Sequence, residues 1–248
     1  MLDTLERPQS AESARRPIPE PPVIALPAPA EVPAYLRTHY RWAYLDPRNV
    51  ALLDRPLVVN IILWGNARRL RLVAFDEIEP GWSVLQAAHV YGRYPLELAR
   101  HIGPEGRLEV IDVAPVQVAR CREKLKGFAN VTVGLGDAAD ARGARYDAAC
   151  SFFLLHEVPP DYKRKIVDAL LGSVTEGGKA VFVDYHRPHW AHPLKALMGL
   201  VFDMAEPFAR ELWEVEIRDL ASDPGSFSWR KETYFGGLYQ KVVARRPR

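Results

Sequence analysis

Two side chains able to move protons or hold a metal stand side by side at His156 and Glu157, within a run that reads Ser-Phe-Phe-Leu-Leu-His-Glu-Val over residues 151–158. Mixed imidazole and carboxylate donors suit a divalent ion such as manganese. Asp184, His186 and His89 could complete the set if the strand ends that carry them converge at one sheet edge. A histidine here serves equally as a base or a packing group, so ligation and packing both stay open. A second stretch is notable for what it lacks. Residues 84–92 read Val-Leu-Gln-Ala-Ala-His-Val-Tyr-Gly, where a nucleotide-binding βα unit carries closely spaced glycines that let the backbone and a helix N-terminus approach the ligand. Only Gly92 remains, with Gln86, Ala88 and Val90 at the other places.

These groups meet only if strands bring them to a common edge, and the chain beyond Pro80 and Gly81 has the required rhythm. Strands are predicted at 84–88, 107–113, 131–134, 147–153 and 179–184. Helices are predicted from about Arg93 to Ile102 with Pro95 in the first turn, from Pro115 to Leu125, and over 161–171. Four β-to-helix crossovers imply an α/β domain with a mainly parallel sheet and helices on both faces. The last part departs from this pattern: 192–213 reads as helical and broken near Pro207. Strands at 228–235 and 238–244, joined through Gly236 and Gly237, add an antiparallel pair. Dinucleotide dehydrogenases usually end on parallel strands instead.

Three parts are expected along the chain. Residues 1–33, rich in proline and alanine, read as an extended or disordered tail. Residues 34–79 form a helical, aromatic-rich extension or lid with Tyr35, Tyr40, Trp42 and Tyr44, and residues 80–248 form the main domain. Within the extension, the apolar run 57–64 ends on Trp64 and is followed by Arg68, Arg69 and Arg71. That pattern fits a helix lying in a membrane interface; it fits equally a helix that caps the main domain.

Composition narrows the partner. At 248 residues with a net charge of +2, the chain lacks the strongly basic balance of a nucleic-acid binder. Cys121 and Cys150 have no CxxC spacing and read as buried thiols of a reduced, cytoplasmic protein. No signal peptide is visible. No apolar run approaches the roughly 20 residues of a membrane span.

Over about residues 80–245 the sequence resembles the class I S-adenosylmethionine (SAM) dependent methyltransferases, a Rossmann-like fold. The resemblance rests on Ile111-Asp112 at the end of the second strand, Gly136-Asp137-Ala138 after the third, the 151–158 segment after the fourth, and Glu176-Gly177-Gly178-Lys179 before the fifth. It implies that Asp112 takes the ribose hydroxyls and Asp137 the adenine amino group, in a SAM site formed by Gln86, Ala88, Tyr91, Gly92, Asp112, Val113, Asp137, Ala138, Ser151 and Phe152. Metal-dependent quinone O-methyltransferases of this fold carry a Glu-His pair and an earlier glutamate after strand four. Here the pair is reversed, and Phe153 stands in the earlier place.

The altered first loop, together with 57–66 and 234–240, resembles the rhodoquinone-biosynthesis methyltransferase-like (RquA) proteins. That resemblance implies conversion of ubiquinone to rhodoquinone, a ring methoxy being replaced by an amino group, with SAM as amino donor and manganese required. For that chemistry His156, Glu157, Tyr94 and Gln86 are the candidate catalytic residues, and His156, Glu157, Asp184 and His186 the candidate metal ligands. A neutral Gln86 beside the SAM amine would favour the ammonium form less than an acid does, leaving a nucleophilic amine. Tyr91, Tyr94, Phe152, Tyr185, Trp190 and Tyr234 suit a quinone ring. The segments 57–64 and 194–202 could line a route for a prenyl tail, with peripheral contact on the inner face of the membrane. A conventional SAM-dependent methyltransferase of a quinone or small lipophilic acceptor is the alternative, and a non-catalytic quinone- or partner-binding protein of the same fold is a third.

Overall fold

The computed structural model describes residues 32–248 except Arg142 and Ala144, so nearly all of the proline-rich segment lies outside the described residues. The extension is a chain of short helices: α1 (Ala34–Thr38), a single π-helical turn (Arg41–Leu45), α2 (Pro47–Leu53), α3 (Pro56–Ile62) and α4 (Ala67–Phe75). Pro47 and Pro56 open α2 and α3, where a missing amide hydrogen costs nothing and φ is already helical. Asp46 caps α2 by accepting from the amides of Arg48 and Asn49.

The main domain runs β1 (Ser83–Ala87), α5 (Tyr94–Ile102), β2 (Arg107–Asp112), α6 (Pro115–Leu125), β3 (Val131–Leu135), β4 (Tyr146–Phe152), α7 (Pro160–Ser173) and β5 (Val174–Tyr185). It continues with α8 (Lys195–Ala205), three short 3-10 turns, β6 (Ser228–Tyr234) and β7 (Tyr239–Arg245). Among the described residues the seven strands pair in the order β3-β2-β1-β4-β5-β7-β6. The first five are mutually parallel, whereas β7 runs antiparallel to both β5 and β6. This is the expected sheet, with its antiparallel pair at the end. The start of β5 differs from expectation: it begins at Val174 and passes through Gly177, at φ 77°, and Gly178. The glycine pair therefore bends the strand rather than preceding it.

Alternation along the strands divides the core. Val84 belongs to a cluster with Leu70, Leu98, Ile102, Cys121 and Phe202, under α4, α5, α6 and α8. Leu85 and Ala87 belong to the opposite cluster with Ile166, Leu170, Leu212 and Ile217, under α7 and the 3-10 turns. Cys121 and Cys150 are buried free thiols. Strand order reverses between β1 and β4, and the crevice beyond the carboxyl ends of such strands is where ligands of open α/β sheets bind.

Candidate functional site

Two adjoining cavities occupy that crevice. The first is lined by Ala88, His89, Asp112, Val113, Gly136, Asp137, Ala138, Glu157 and Tyr162, and is covered by Tyr35, Leu36 and Tyr44 of the extension. The second is lined by Trp42, Leu53, Val59, Ile62, Leu63, Val90, Tyr91, Phe152, Phe153, His156, Tyr185 and Glu206, and shares Tyr44, Ala88, His89 and Glu157 with the first.

Strand ends position the polar groups of the first cavity. Asp112, the last residue of β2, accepts from the amide of His89 at 2.8 Å on one oxygen and from that of Ala114 at 2.8 Å on the other. Burial pushes its carboxyl up to about 6 against the pull of those two amides. Each oxygen keeps a free lone pair for a hydroxyl donor. Asp137 caps the following 3-10 turn by accepting from the Ala139 amide at 2.9 Å, and its other oxygen accepts from the Tyr162 hydroxyl. The Tyr35 ring lies 5.6 Å from that of Tyr162.

The altered loop is held by side chains rather than opened by glycines. Ala88 takes a left-handed φ of 65° directly after β1, which is strained for a residue with a Cβ. The Gly92 amide donates to Asp54 at 2.9 Å. Lys124 joins Asp54 at 2.5 Å, the Gly92 carbonyl at 2.9 Å and His89 Nε2 at 3.0 Å. Because Lys124 donates to Nε2, the Nδ1 proton of His89 goes to Gln117 Oε1 at 2.8 Å. Burial, reinforced by Lys124, lowers the His89 pKa to about 4, so this imidazole is neutral. Gln117 then donates to the Tyr91 hydroxyl, which itself donates to the Ala43 carbonyl. Gln86 points into the core, donates to the Ala88 carbonyl at 2.9 Å and leaves Oε1 without a partner.

The second cavity contains the proton chemistry. His156 Nδ1 meets Asp184 at 2.8 Å, and its Nε2 lies 3.6 Å from Glu157. Burial opposes the imidazolium, but the Asp184 carboxylate outweighs it and, with Glu157 and Glu206, raises the pKa to about 9. Burial also raises the carboxyls of Glu157 and Glu206. Tyr44 donates to Glu157, and Tyr40 donates to Glu206 at 2.8 Å. Lys163, fully buried, anchors the segment by donating to the carbonyls of Val158 and Phe208, both at 2.9 Å.

The cavities thus bring together Ala88, Tyr91, Asp112, Val113, Asp137, Ala138, Phe152, His156 and Glu157. Other expected residues lie elsewhere. Gln86, Ser151 and Gly92 line neither cavity; the Ser151 hydroxyl is buried without a partner. Tyr94, expected to be catalytic, belongs to the core because it lies on the inner face of α5, 4.2 Å from the Phe152 ring. The expected metal set does not assemble. Asp184 spends its oxygens on His156 and the amides of Leu155 and Tyr185. His186 turns to the Gly237 carbonyl and Lys231. Among the described residues no group of three or more His, Cys, Asp or Glu side chains is placed to hold a metal ion. Sequence reasoning missed Glu206, Tyr162, Gln117 and the Asp54–Lys124 pair. Glu206 follows a largely apolar helix and stands just before Pro207, which is a signal; the others carry none.

Comparison with known proteins agrees with this geometry. Residues 84–178 match the family described as "Methyltransferase domain". Over 137 residues the chain is 30% identical to a protein-L-isoaspartate O-methyltransferase of Ignicoccus hospitalis, covering 53% of this chain and 61% of that relative. Among solved structures, an O-methyltransferase family protein from Burkholderia thailandensis aligns with a TM-score of 0.61 at 17% identity, over 84% of this chain and 62% of that one. The mitomycin 7-O-methyltransferase MmcR aligns with a TM-score of 0.64 at 15% identity, over 84% and 60%. The chain thus spans about three fifths of the length of each. Sheet order, strand-end aspartates and the match over residues 84–178 agree: this chain has the Rossmann-like fold of the class I SAM-dependent methyltransferases.

Proposed function

We propose that this chain binds SAM in the first cavity and transfers a group from it to the ring of a lipophilic quinone held in the second, exchanging a ring methoxy for an amino group. The observation that carries this reading is the wall the cavities share at Tyr44, Ala88, His89 and Glu157. Group transfer needs two reacting atoms held at near-contact distance, and two sites divided only by these side chains supply it. Asp112 and Asp137 suit the ribose and adenine groups, while Phe152, Phe153, Val59 and Ile62 suit an apolar ring and tail.

Protonation favours amination over methyl transfer. Methylation of a hydroxyl gains from a nearby base, but His156 and Glu157 are both biased toward their protonated forms. As donors they would hydrogen-bond a quinone oxygen and make the ring carbon more electrophilic. An amine nitrogen then forms a bond to that carbon. The bond from the ring carbon to the methoxy oxygen breaks, and the nitrogen's proton leaves with methoxide as methanol. The nitrogen is then bonded to both the ring and the SAM α-carbon; the quinone ring takes two electrons and two protons from the N–Cα unit, giving a quinol imine, and water hydrolyses that imine to the aminoquinol and the 2-keto acid of the SAM remnant. Gln86 supports the reading as a neutral residue where the family carries an acid. Its contact with the Ala88 carbonyl makes it act through the shape of the loop. Manganese has no matching donor set among the described residues, so no step is routed through it.

Methyl transfer to a quinol or another lipophilic acceptor is the second reading, favoured by the match to a methyltransferase family. Incubating the protein with SAM and a short-chain ubiquinone, with and without manganese, and weighing the product separates the two. Amino-for-methoxy exchange, with label from nitrogen-labelled SAM in the product, supports the first. Methyl gain supports the second. No turnover under either condition overturns both and leaves a binding protein.

A further inference from the structure

The outer surface of α3 and α8 is apolar although nothing described covers it. Leu57 and Ile61, one turn apart on α3, are 70% and 64% exposed, and Ile62 and Trp64 extend the same region. On α8, Met198 and Phe202 face the core, while Leu197, Leu200, Val201 and Met204 face outward, Met204 with 78% exposure. A helix apolar all round belongs in a core or against lipid. The two helices form one surface, because Trp64 Nε1 donates to Met198 Sδ at 3.4 Å. Exposed Trp42 and Ile62 stand at the rim of the second cavity, so this surface surrounds its mouth. Contiguous exposed apolar surface of this kind marks an interaction site.

Charge identifies the partner. Residues 55–75 contain Arg55, Arg68, Arg69 and Arg71 and no acid, and residues 186–205 contain Arg187 and Lys195 and a single acid, Asp203, which is paired with Arg210 at 2.5 Å. Arg71 is taken by Glu97, whereas Arg55, Arg68 and Arg187 are exposed. Apolar side chains and tryptophans fringed by an excess of cations, with the one acid on α8 already paired, complement the acyl boundary and phosphates of an anionic bilayer. A protein partner of matching area would more commonly meet charges of both signs.

We infer that the outer faces of α3 and α8, with Trp64 joining them and Trp42 at the cavity rim, dock on an anionic lipid bilayer and set the mouth of the second cavity at its surface. The docking stands on surface chemistry alone; only its consequence, entry of a lipophilic substrate from the bilayer, rests on the proposed function. The test floats the full chain with phosphatidylcholine vesicles and with vesicles that also contain phosphatidylglycerol, without substrate. Expected is co-migration with the anionic vesicles, weakened by salt and accompanied by a blue shift of tryptophan emission. Ile61→Glu combined with Met204→Glu should lower the bound fraction on the order of tenfold. Arg55→Glu combined with Arg68→Glu should remove the preference for anionic lipid. All four positions are on the surface and outside both cavities, so circular dichroism and thermal midpoint should match the parent. Absence of co-migration, or co-migration that both double variants retain, overturns the inference. So does a dimer in light scattering that Ile61→Glu dissolves without any vesicle binding, because the face then belongs to a second copy. Vesicle binding without quinone turnover would overturn only the proposed function.

Discussion

Tyr44 and Glu157 lie 113 positions apart and are joined by a hydrogen bond in which the phenol of the extension donates to the carboxyl beside His156. Both residues wall both cavities. The extension is therefore part of the site, and Tyr44, stacked on Tyr91 at 5.5 Å, ties lid and altered loop together. Tyr44→Phe should keep the fold, lower unfolding free energy by about 1–3 kcal/mol as a buried acceptor loses its donor, and weaken SAM binding; urea titration and calorimetry check the two effects.

Ala88 bears the strain of the missing glycine. With φ at 65°, Ala88→Gly should stabilise the chain by about 1 kcal/mol, and Ala88→Val should destabilise it by more. A denaturation midpoint that is unchanged in both would show that the loop relaxes freely.

Asp54 holds the loop from outside. Its carboxylate serves the Gly92 amide, Lys124 and Arg120 together, so Asp54→Ala strands a largely buried ammonium and should cost about 3–5 kcal/mol. Adding Lys124→Met should recover part of that loss. Equal or greater loss in the double variant would count against the clamp.

Stability should fall toward alkaline pH. His156 is raised from 6.5 to about 9, so the stability it contributes is complete below pH 6.5 and is lost as pH rises through 9, to the extent of about 3 kcal/mol. The raised Glu157 carboxyl acts in the same direction. Thermal midpoints across this range should decline in the parent and stay flatter in Asp184→Asn, which removes the charge that holds the proton on His156.

If His156 donates to the substrate, His156→Gln should lower kcat by about 10²- to 10⁴-fold, with SAM affinity within a few-fold of the parent. Retained turnover would reassign the donor to Glu157 or Glu206.

The sequence by itself determined the frame. Alternation and punctuation gave α6 over Pro115–Leu125 as it stands and the parallel strands to within a few residues at most ends. Asp112 and Asp137 were legible because a strand end in this topology must face the crevice. What the sequence could not determine was which side chains already spend their hydrogen bonds. Asp184 looks like a ligand on paper, yet four donors occupy it. Tyr94 looks catalytic, yet helix phase turns it into the core. Glu206, Tyr44 and Asp54 reach the site from elements that precede or follow the strands, by contacts spanning up to 166 residues in the case of Tyr40 and Glu206. Local pattern reports periodicity, whereas burial, proton affinity and partner choice depend on neighbours that only tertiary packing assigns.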